Sequence, residues 1–140
     1  MTVSAFISDD DGYSEEAYID AIERMHPAVR FKYRPIRVLD RVQIVGELRD
    51  LNAKGKAQNA ESLIAQEIAN RIFSWDFLDS NGSVIDGAPE PTKKSVLRIK
   101  PQLFVRLADI VIYGNDAGDL DPALDPDLPS RESPEDSAKN

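Results

Sequence analysis

The spacing of apolar residues predicts that the chain begins with a polar leader, residues 1–13, followed by a helix. Ser14 and the two glutamates after it are typical of a helix N-cap with acids in the first turn, where the helix dipole favours them. The helix is expected to reach about Met25 and to end at Pro27, with His26 in its C-terminal cap. Its apolar side would consist of Ala17, Tyr18, Ala21, Ile22 and Met25.

A strictly alternating pattern follows and predicts an extended segment with one apolar face and one basic face. Pro35 disfavours helical geometry at the residue before it, which helps to keep the segment extended. The next run, IRVLDRVQIVGELRDLN, has a helical spacing of apolar residues, and a break follows at residues 52–55. The alternating residues are Val29, Phe31 and Tyr33 on one face and Arg30, Lys32 and Arg34 on the other. The helical stripe consists of Val38, Val42, Val45 and Leu48, broadened by Ile44 and Leu51.

The segment AQNAESLIAQEIANRIF, residues 57–73, has the clearest pattern of an amphipathic helix. After it the period changes from helical to alternating, and Asn81 and Gly82 are typical of a tight turn because both tolerate positive φ. A short hairpin is therefore predicted. The helical stripe consists of Ala60, Ile64, Ile68 and Ile72, flanked by Ala65, Ala69 and Phe73. The hairpin would place Trp75 and Phe77 on one side, Asp76 and Leu78 on the other, and Val84 and Ile85 in the returning strand.

The C-terminal third predicts a loop, two helical segments and a tail. Residues 87–92 read as a loop, and Thr92 is expected to cap a short helical piece over residues 93–99. Pro101 fits the first position of a last helix that ends at Gly114. Residues 115–140 contain four prolines, eight acids and no aromatic residue, which predicts a tail that is disordered or ordered only against a partner. The buried face of the last helix would consist of Leu103, Phe104, Leu107, Ile110 and Val111.

Together these patterns predict a mainly α protein of the α+β class. It would have three to four amphipathic helices, one short extended segment, a small β-hairpin and a disordered acidic C-terminal tail. A single globular domain is expected over residues 14–114, and a body of that size buries one modest core without disulfides or metals.

Composition adds constraints on compartment and charge. The sequence has no cysteine, which excludes disulfides, thiolate metal sites and cysteine nucleophiles and favours a reducing cytoplasm. No apolar stretch approaches the roughly 20 residues of a membrane helix, and the acidic N-terminus does not resemble a signal peptide. The net charge of -8 belongs mostly to residues 115–140, where eight acids face two bases. The rest of the chain is therefore close to neutral.

No set of residues in the sequence predicts catalysis, a metal site or a cofactor. His26 is the only histidine, so neither a Ser-His-Asp triad nor an ordinary zinc site is favoured. The run DDDG at residues 9–12 fails the EF-hand register, which would put Ile7 and Tyr18 where oxygen ligands are required. An enzyme is therefore the less favoured interpretation.

Five bases between residues 30 and 41 surround two aromatic residues, a pattern that can follow a nucleic-acid backbone. The simpler interpretation is that Phe31 and Tyr33 face the core while the bases form a solvated edge. The near-neutral body and the acidic tail argue against nucleic acid. A basic edge that meets an acidic partner, or this protein's own tail, is favoured instead. The bases are Arg30, Lys32, Arg34, Arg37 and Arg41.

Two loose motifs stand out in the order of these features. The run Trp-Asp-x-x-Asp-x-x-Gly occupies residues 75–82, and Pro-x-Leu-Phe opens the last helix at residues 101–104. With the extended FKYRP segment before them and the acidic tail after them, residues 29–122 resemble small tail-assembly proteins of tailed bacteriophages and prophages, of the tail assembly chaperone type. The resemblance implies a cytoplasmic, largely helical binding protein made in an infected or lysogenic bacterial host. Such proteins hold an aggregation-prone tape-measure protein until the tail tube polymerises.

The first expected function is therefore a non-enzymatic assembly chaperone that binds a tape-measure or other tail protein through an apolar groove. The alternative is a structural minor virion component, such as a neck or tail-completion protein, that self-associates. A further alternative is a nucleic-acid-binding module that uses residues 30–41. The candidate partner-binding residues are Phe31, Tyr33, Arg34, Trp75, Phe77, Phe104 and Tyr113. For the aromatic residues among them, burial in the core is the simpler expectation.

Overall fold

A computed structural model of the chain describes residues 12–123, which form three strands and four α-helices. The last α-helix continues directly as a π-helix. In chain order the elements are β1 (Glu15–Ile19), β2 (Ala28–Tyr33), α1 (Val38–Ala53), α2 (Ala57–Arg71), β3 (Ile72–Leu78), α3 (Lys93–Val96), α4 (Pro101–Ala108) and the π-helix (Asp109–Tyr113). The predicted α+β class is confirmed.

The strands form one antiparallel sheet in the order β1-β2-β3, with β2 in the centre. The predicted extended segment is confirmed as β2, and its alternation decides which residues enter the core. Phe31 lies opposite Ala17 of β1 and opposite Trp75 of β3, so that the three share the face covered by the helices. Lys32 is exposed on the other face.

The predicted first helix is wrong, because residues 15–19 form β1 instead. Ala17 and Ile19 are both buried, an alternation of period two that the helical interpretation overlooked. Pairing of residues 15–19 with β2 satisfies backbone groups of both segments and outweighs the weak N-cap signal at Ser14. Ile22, which would have lain on the buried side of the helix, is exposed.

His26 is accordingly not a helix cap. Ile22 and His26 form an isolated antiparallel bridge that closes the turn between β1 and β2. The imidazole is buried, and its Nδ1 lies 2.8 Å from the carbonyl oxygen of Pro27. His26 therefore belongs to the turn that connects the first two strands of the sheet.

Helix α1 lies where the sequence predicts it, but its buried side differs. Ile44 and Leu48 enter the core. Val38, Leu39 and Val42 are 73%, 76% and 63% exposed, so the predicted stripe through Val38 and Val42 does not face the core. Apolar residues lie on both sides of this helix, which is why periodicity alone did not identify the inner face.

Helix α2 ends at Arg71, two residues earlier than expected, and β3 starts at once with Ile72. Phe73 therefore belongs to the strand and is exposed rather than part of the helical stripe. The predicted turn is present at residues 79–83, where the Asp79 carboxylate accepts the backbone N–H groups of Asn81 and Ser83. The returning strand is reduced to one bridge between Leu78 and Val84. Along most of its length, β3 pairs with β2 instead.

Three of the residues predicted to mark the ends of the C-terminal helices occupy those positions in the structure. Thr92 caps α3 in a reciprocal capping box with Ser95, and α3 ends at Val96 instead of continuing to residue 99. Pro101 is the first residue of α4. Gly114, with φ of 68°, closes the π-helix in the left-handed conformation.

Residues 115–123, the first part of the predicted tail, lie against the folded body, and we call them the acidic strap. Asp119 makes two hydrogen bonds to the backbone at the end of β1. Its own N–H donates to the carbonyl oxygen of Tyr18, and its carboxylate accepts from the N–H of Asp20. Gly118 passes so close that an added Cβ would lie 2.9 Å from the Tyr18 carbonyl oxygen. The remainder of the predicted tail, residues 124–140, and residues 1–11 of the leader lie outside the described residues.

Candidate partner-binding site

A cavity of about 570 Å³ opens beside β3, at the junction between the sheet and the loop that leads to α3. Trp75 and Phe77 supply its aromatic wall, because alternate residues of β3 point to the same side of the sheet. We call it the Trp75 cavity. Its lining consists of Trp75, Phe77, Pro89, Thr92, Lys94, Ser95, Arg98 and Ile99.

The indole of Trp75 links the sheet to the loop. It is 7% exposed, and its Nε1–H donates a hydrogen bond of 2.8 Å to the carbonyl oxygen of Pro89. Its ring centroid lies 5.2 Å from that of Phe77 with the planes tilted by 59°, a favourable aromatic arrangement. One edge of the indole thus belongs to the core and another borders the cavity.

The opposite wall is held by the cap of α3. The buried Ser95 hydroxyl donates to the carbonyl oxygen of Glu90 at 2.6 Å, and the Ser95 N–H donates to Thr92 Oγ1 at 3.1 Å. These bonds fix the loop that carries Pro89 against the start of the helix. Both walls are tied by hydrogen bonds, so the cavity is a preformed feature of the fold.

Two basic side chains form part of the lining of the Trp75 cavity. Lys94 and Arg98 line it, and neither makes a side-chain hydrogen bond or ion pair in the part of the chain that the structure describes. The surrounding sequence, residues 91–108, contains five bases and no acid. Among the other bases of this run, Arg106 pairs with the acidic strap and Lys100 bonds the carbonyl oxygen of Met25. The cavity lining therefore combines apolar side chains with two exposed cations, Lys94 and Arg98, which we call its cationic rim.

The seven predicted partner-binding residues do not form one groove. Phe31 is 1% exposed and packs beside Tyr33 with ring centroids 5.5 Å apart, so both belong to the core. Phe104 borders a different opening of about 360 Å³ between α2 and α4. Tyr113 is partly buried at the end of the π-helix. Within residues 12–123, Trp75 and Phe77 are the two that line the same cavity.

Both tyrosines among the predicted partner-binding residues have a raised pKa because of their surroundings. Burial raises the pKa of Tyr33 to about 12, and the neighbouring Glu15 carboxylate, 3.3 Å from the phenol oxygen, adds to the shift. Burial also raises the pKa of Tyr113, with a smaller contribution from Asp109. Both phenols therefore remain neutral over the physiological range, as hydrogen-bonding and packing groups.

The basic segment at residues 30–41 is largely engaged within the chain. Arg34 donates to the carbonyl oxygen of Tyr13 at 3.3 Å, and Arg41 donates to that of Ile112 at 2.9 Å. Arg30 forms two hydrogen bonds to Asp121 of the acidic strap, at 2.5 and 3.2 Å. The expectation that this edge meets the protein's own acidic residues is confirmed for Arg30.

The acidic strap is fixed by ion pairs at both ends. The Arg106 guanidinium contacts Asp116 at 2.6 Å and Asp119 at 3.3 Å. Hydrogen bonding from Arg106 lowers the pKa of Asp116, and hydrogen bonding from Arg30 lowers the pKa of Asp121. Both carboxylates are therefore ionised at neutral pH and hold the strap across the sheet.

The sequence-based choice of site residues missed Lys94, Arg98 and the loop residue Pro89. The absence of acids from residues 91–108 was a usable signal for the cations. The contribution of Pro89 had no signal, because it depends on the tertiary contact of its carbonyl oxygen with Trp75.

Comparison of the chain with protein-family models, with curated proteins and with solved structures finds no significant match. Over residues 12–123, no group of three or more histidine and carboxylate side chains is arranged to hold a metal ion. None of the helices in the same range is long and apolar enough to cross a membrane.

Proposed function

We propose that this chain is a non-enzymatic assembly protein that binds another protein through the Trp75 cavity. The particular role that we propose is that of a phage tail assembly chaperone, which holds a tape-measure or other tail protein before tail assembly. The observation that supports it best is the preformed cavity with Trp75 and Phe77 in its wall, since pockets with an apolar floor and few polar groups are the usual sites of ligand binding.

A tape-measure protein is long, and its apolar segments are exposed until the tail tube surrounds it. A chaperone for such a partner needs an apolar surface that binds side chains of the partner, and needs no chemical step. The Trp75 cavity supplies such a surface, and its cationic rim keeps it from being a continuous apolar patch. The sequence resemblance over residues 29–122 motivates the choice of the partner.

Co-expression with a candidate tape-measure protein tests the proposal. The expected result is a larger soluble fraction of the partner and its co-purification with this chain. Phe77→Ala removes part of the cavity wall and should lower both readouts. Phe73→Ala is the matched control, because it makes the same change in the same strand at an exposed position outside the cavity lining. Equal solubility of the partner with and without this chain would refute the proposal.

A second candidate function, self-association as a structural component, is favoured by the outer side of α1. Val38, Leu39 and Val42 together expose an apolar patch that nothing in residues 12–123 covers. Leu39→Lys should leave the fold unchanged, since the side chain is 76% exposed. If α1 mediates self-association, native mass spectrometry will show a closed oligomer for the wild type and a monomer for this variant.

Nucleic-acid binding through residues 30–41 is not favoured. Arg30, Arg34 and Arg41 donate hydrogen bonds to carboxylate or carbonyl oxygens of the chain itself. A surface that binds a phosphate backbone requires cations that are free to contact phosphates.

A further inference from the structure

From the charge and shape of the Trp75 cavity, we infer that the partner segment it binds is acidic: a peptide with a large apolar side chain flanked by Asp or Glu. This inference rests on the proposed function, because it takes the cavity as a protein-binding site and specifies the chemistry of the occupant. Three features of the cavity support it, namely its size, its two cations, which have no partner in residues 12–123, and the burial of its indole.

The size of the cavity suits apolar side chains of a bound segment. A volume of about 570 Å³ lies within the range of about 300–1,000 Å³ that is usual for ligand pockets. The wall of Trp75, Phe77 and Ile99 is apolar, so the group that enters gains most by being aliphatic or aromatic. The polar atoms of Ser95 and the Trp75 Nε1–H already bond backbone carbonyl oxygens of the loop. They do not require a polar occupant.

The charge of the rim selects the residues beside that apolar group. Lys94 and Arg98 border the cavity without any partner in residues 12–123. They lie in a run of 18 residues, 91–108, that contains five bases and no acid, although the whole chain has a net charge of -8. A carboxylate beside the entering side chain can bond the fork of the Arg98 guanidinium. Opposite charges at such a rim give specificity and speed association.

The burial of Trp75 favours a protein segment over a nucleic acid. Single-stranded nucleic acids bind by stacking bases on open aromatic faces along a basic groove. Trp75 is 7% exposed and packed against Phe77, so its ring faces are not open for stacking. The opening is also a single cavity, whereas a strand of nucleic acid requires a track of several base sites.

The fluorescence of Trp75 provides a direct test, because this residue is the only tryptophan of the chain and borders the cavity. The full-length protein is titrated with a synthetic peptide without tryptophan, in which leucine and phenylalanine are flanked by glutamates. The expected result is a saturable change in emission. The same peptide with glutamine in place of glutamate should bind about tenfold more weakly, since it loses the pairs with the rim cations.

Charge reversal of the rim tests the residues themselves. Lys94→Glu combined with Arg98→Glu should lower the affinity for the acidic peptide by about tenfold or more. The circular dichroism spectrum should stay unchanged, because both positions are exposed. Lys32→Glu combined with Arg49→Glu makes the same charge change at exposed positions outside the cavity and should alter the affinity by less than about twofold. Equal affinity of the rim variant and the wild type would overturn the inference.

Two other occupants give results that also overturn it. If a single-stranded oligonucleotide changes the Trp75 emission and displaces the peptide, the cavity belongs to a nucleic-acid site. If high salt alone increases the quenching of Trp75 by acrylamide, with no peptide present and no loss of structure, acidic residues of this chain already occupy the cavity.

The inference and the proposed function fail in distinguishable ways. Rescue of a tape-measure protein by both the wild type and the Lys94→Glu, Arg98→Glu variant would leave the assembly role intact and remove the acidic-segment inference. Binding of the acidic peptide without any rescue would support the acidic-segment inference and refute the assembly role.

Discussion

Replacing Asp121 with asparagine should destabilise the folded protein, although this residue lies in a segment whose composition is typical of disorder. The Asp121 side chain is 3% exposed and accepts two hydrogen bonds from Arg30 and one from the N–H of Ala123. Asparagine has nearly the same shape but no charge, and its amide group cannot accept both bonds from the guanidinium. The substitution therefore removes the ion pair while it preserves the packing.

The expected loss follows from the burial of the two partners. Breaking a fully buried ion pair costs about 3–5 kcal/mol, because it leaves an uncompensated charge. Arg30 is 23% exposed, so water can solvate its charge after the substitution. The loss should then be close to that of a hydrogen bond to a charged group, about 1.5–3 kcal/mol, which corresponds to a fall of roughly 5–15 °C in the melting temperature.

Urea denaturation followed by circular dichroism measures this difference. Asp76→Asn is the matched control, since Asp76 lies opposite Arg30 on β3 but is exposed, and its loss should cost less than about 0.5 kcal/mol. If Asp121→Asn and Asp76→Asn have the same denaturation midpoint, the strap does not stabilise the body and the reasoning is refuted.

The pH dependence of the same pair provides an independent check. Hydrogen bonding from Arg30 lowers the pKa of Asp121 in the folded state below its value in the unfolded chain, which is about 3.9. The contribution of the pair is therefore complete above the unfolded pKa and is lost as the pH falls through the lower folded pKa. The stability difference between wild type and Asp121→Asn should be constant near neutral pH and shrink below about pH 4.

Three further predictions concern the core and the helix end. Trp75→Ala should cost about 3 kcal/mol in chemical denaturation, at the low end for a large aromatic residue because the adjoining cavity is open. Gly114→Ala should cost about 1–2 kcal/mol, since φ is 68° there and an added Cβ would lie 2.9 Å from Arg41 Nη2. Tyr33 should titrate at about pH 12 in an ultraviolet absorbance titration, and Tyr33→Phe should remove that step. Because its folded pKa is raised, the stability contributed by Tyr33 is present below pH 10 and is lost as the pH rises towards 12.

Local signals in the sequence identified most of the helices and the central strand. The alternation at residues 29–34 gave β2 because a half-buried strand repeats every two residues. Thr92, Pro101 and Gly114 marked helix ends correctly because capping depends on residues adjacent in the chain. Such features need no knowledge of the tertiary structure.

Features that depend on pairing between distant segments were not predictable in the same way. Residues 15–19 have acceptable helical spacing as well as a short alternation of period two, and pairing with β2 makes them a strand. The return of residues 84–85 to β3 is confined to one bridge and one backbone bond, whereas β2 pairs along most of the other edge of that strand. A local pattern cannot show which of two edges a strand will use.

For the candidate site, the sequence pointed to Trp75 and Phe77 but not to what surrounds them. It also suggested Phe31, Tyr33 and Phe104, which the fold distributes between the core and a separate opening. Aromatic residues are common in both cores and binding surfaces, so the presence of one in the sequence does not distinguish the two. The Trp75 cavity exists because the loop at Pro89 and the start of α3 lie beside β3.

The sequence by itself determined the α+β class, the helix limits set by caps and the segregation of acids towards the C-terminus. These properties are fixed by neighbouring residues or by composition. The tertiary structure decided that β1 is a strand, that the inner side of α1 is formed by Ile44 and Leu48, and that residues 115–123 cross the sheet. Each of those outcomes depends on contacts between residues far apart in the chain, such as Arg30 with Asp121, whose partners become neighbours only when the chain folds.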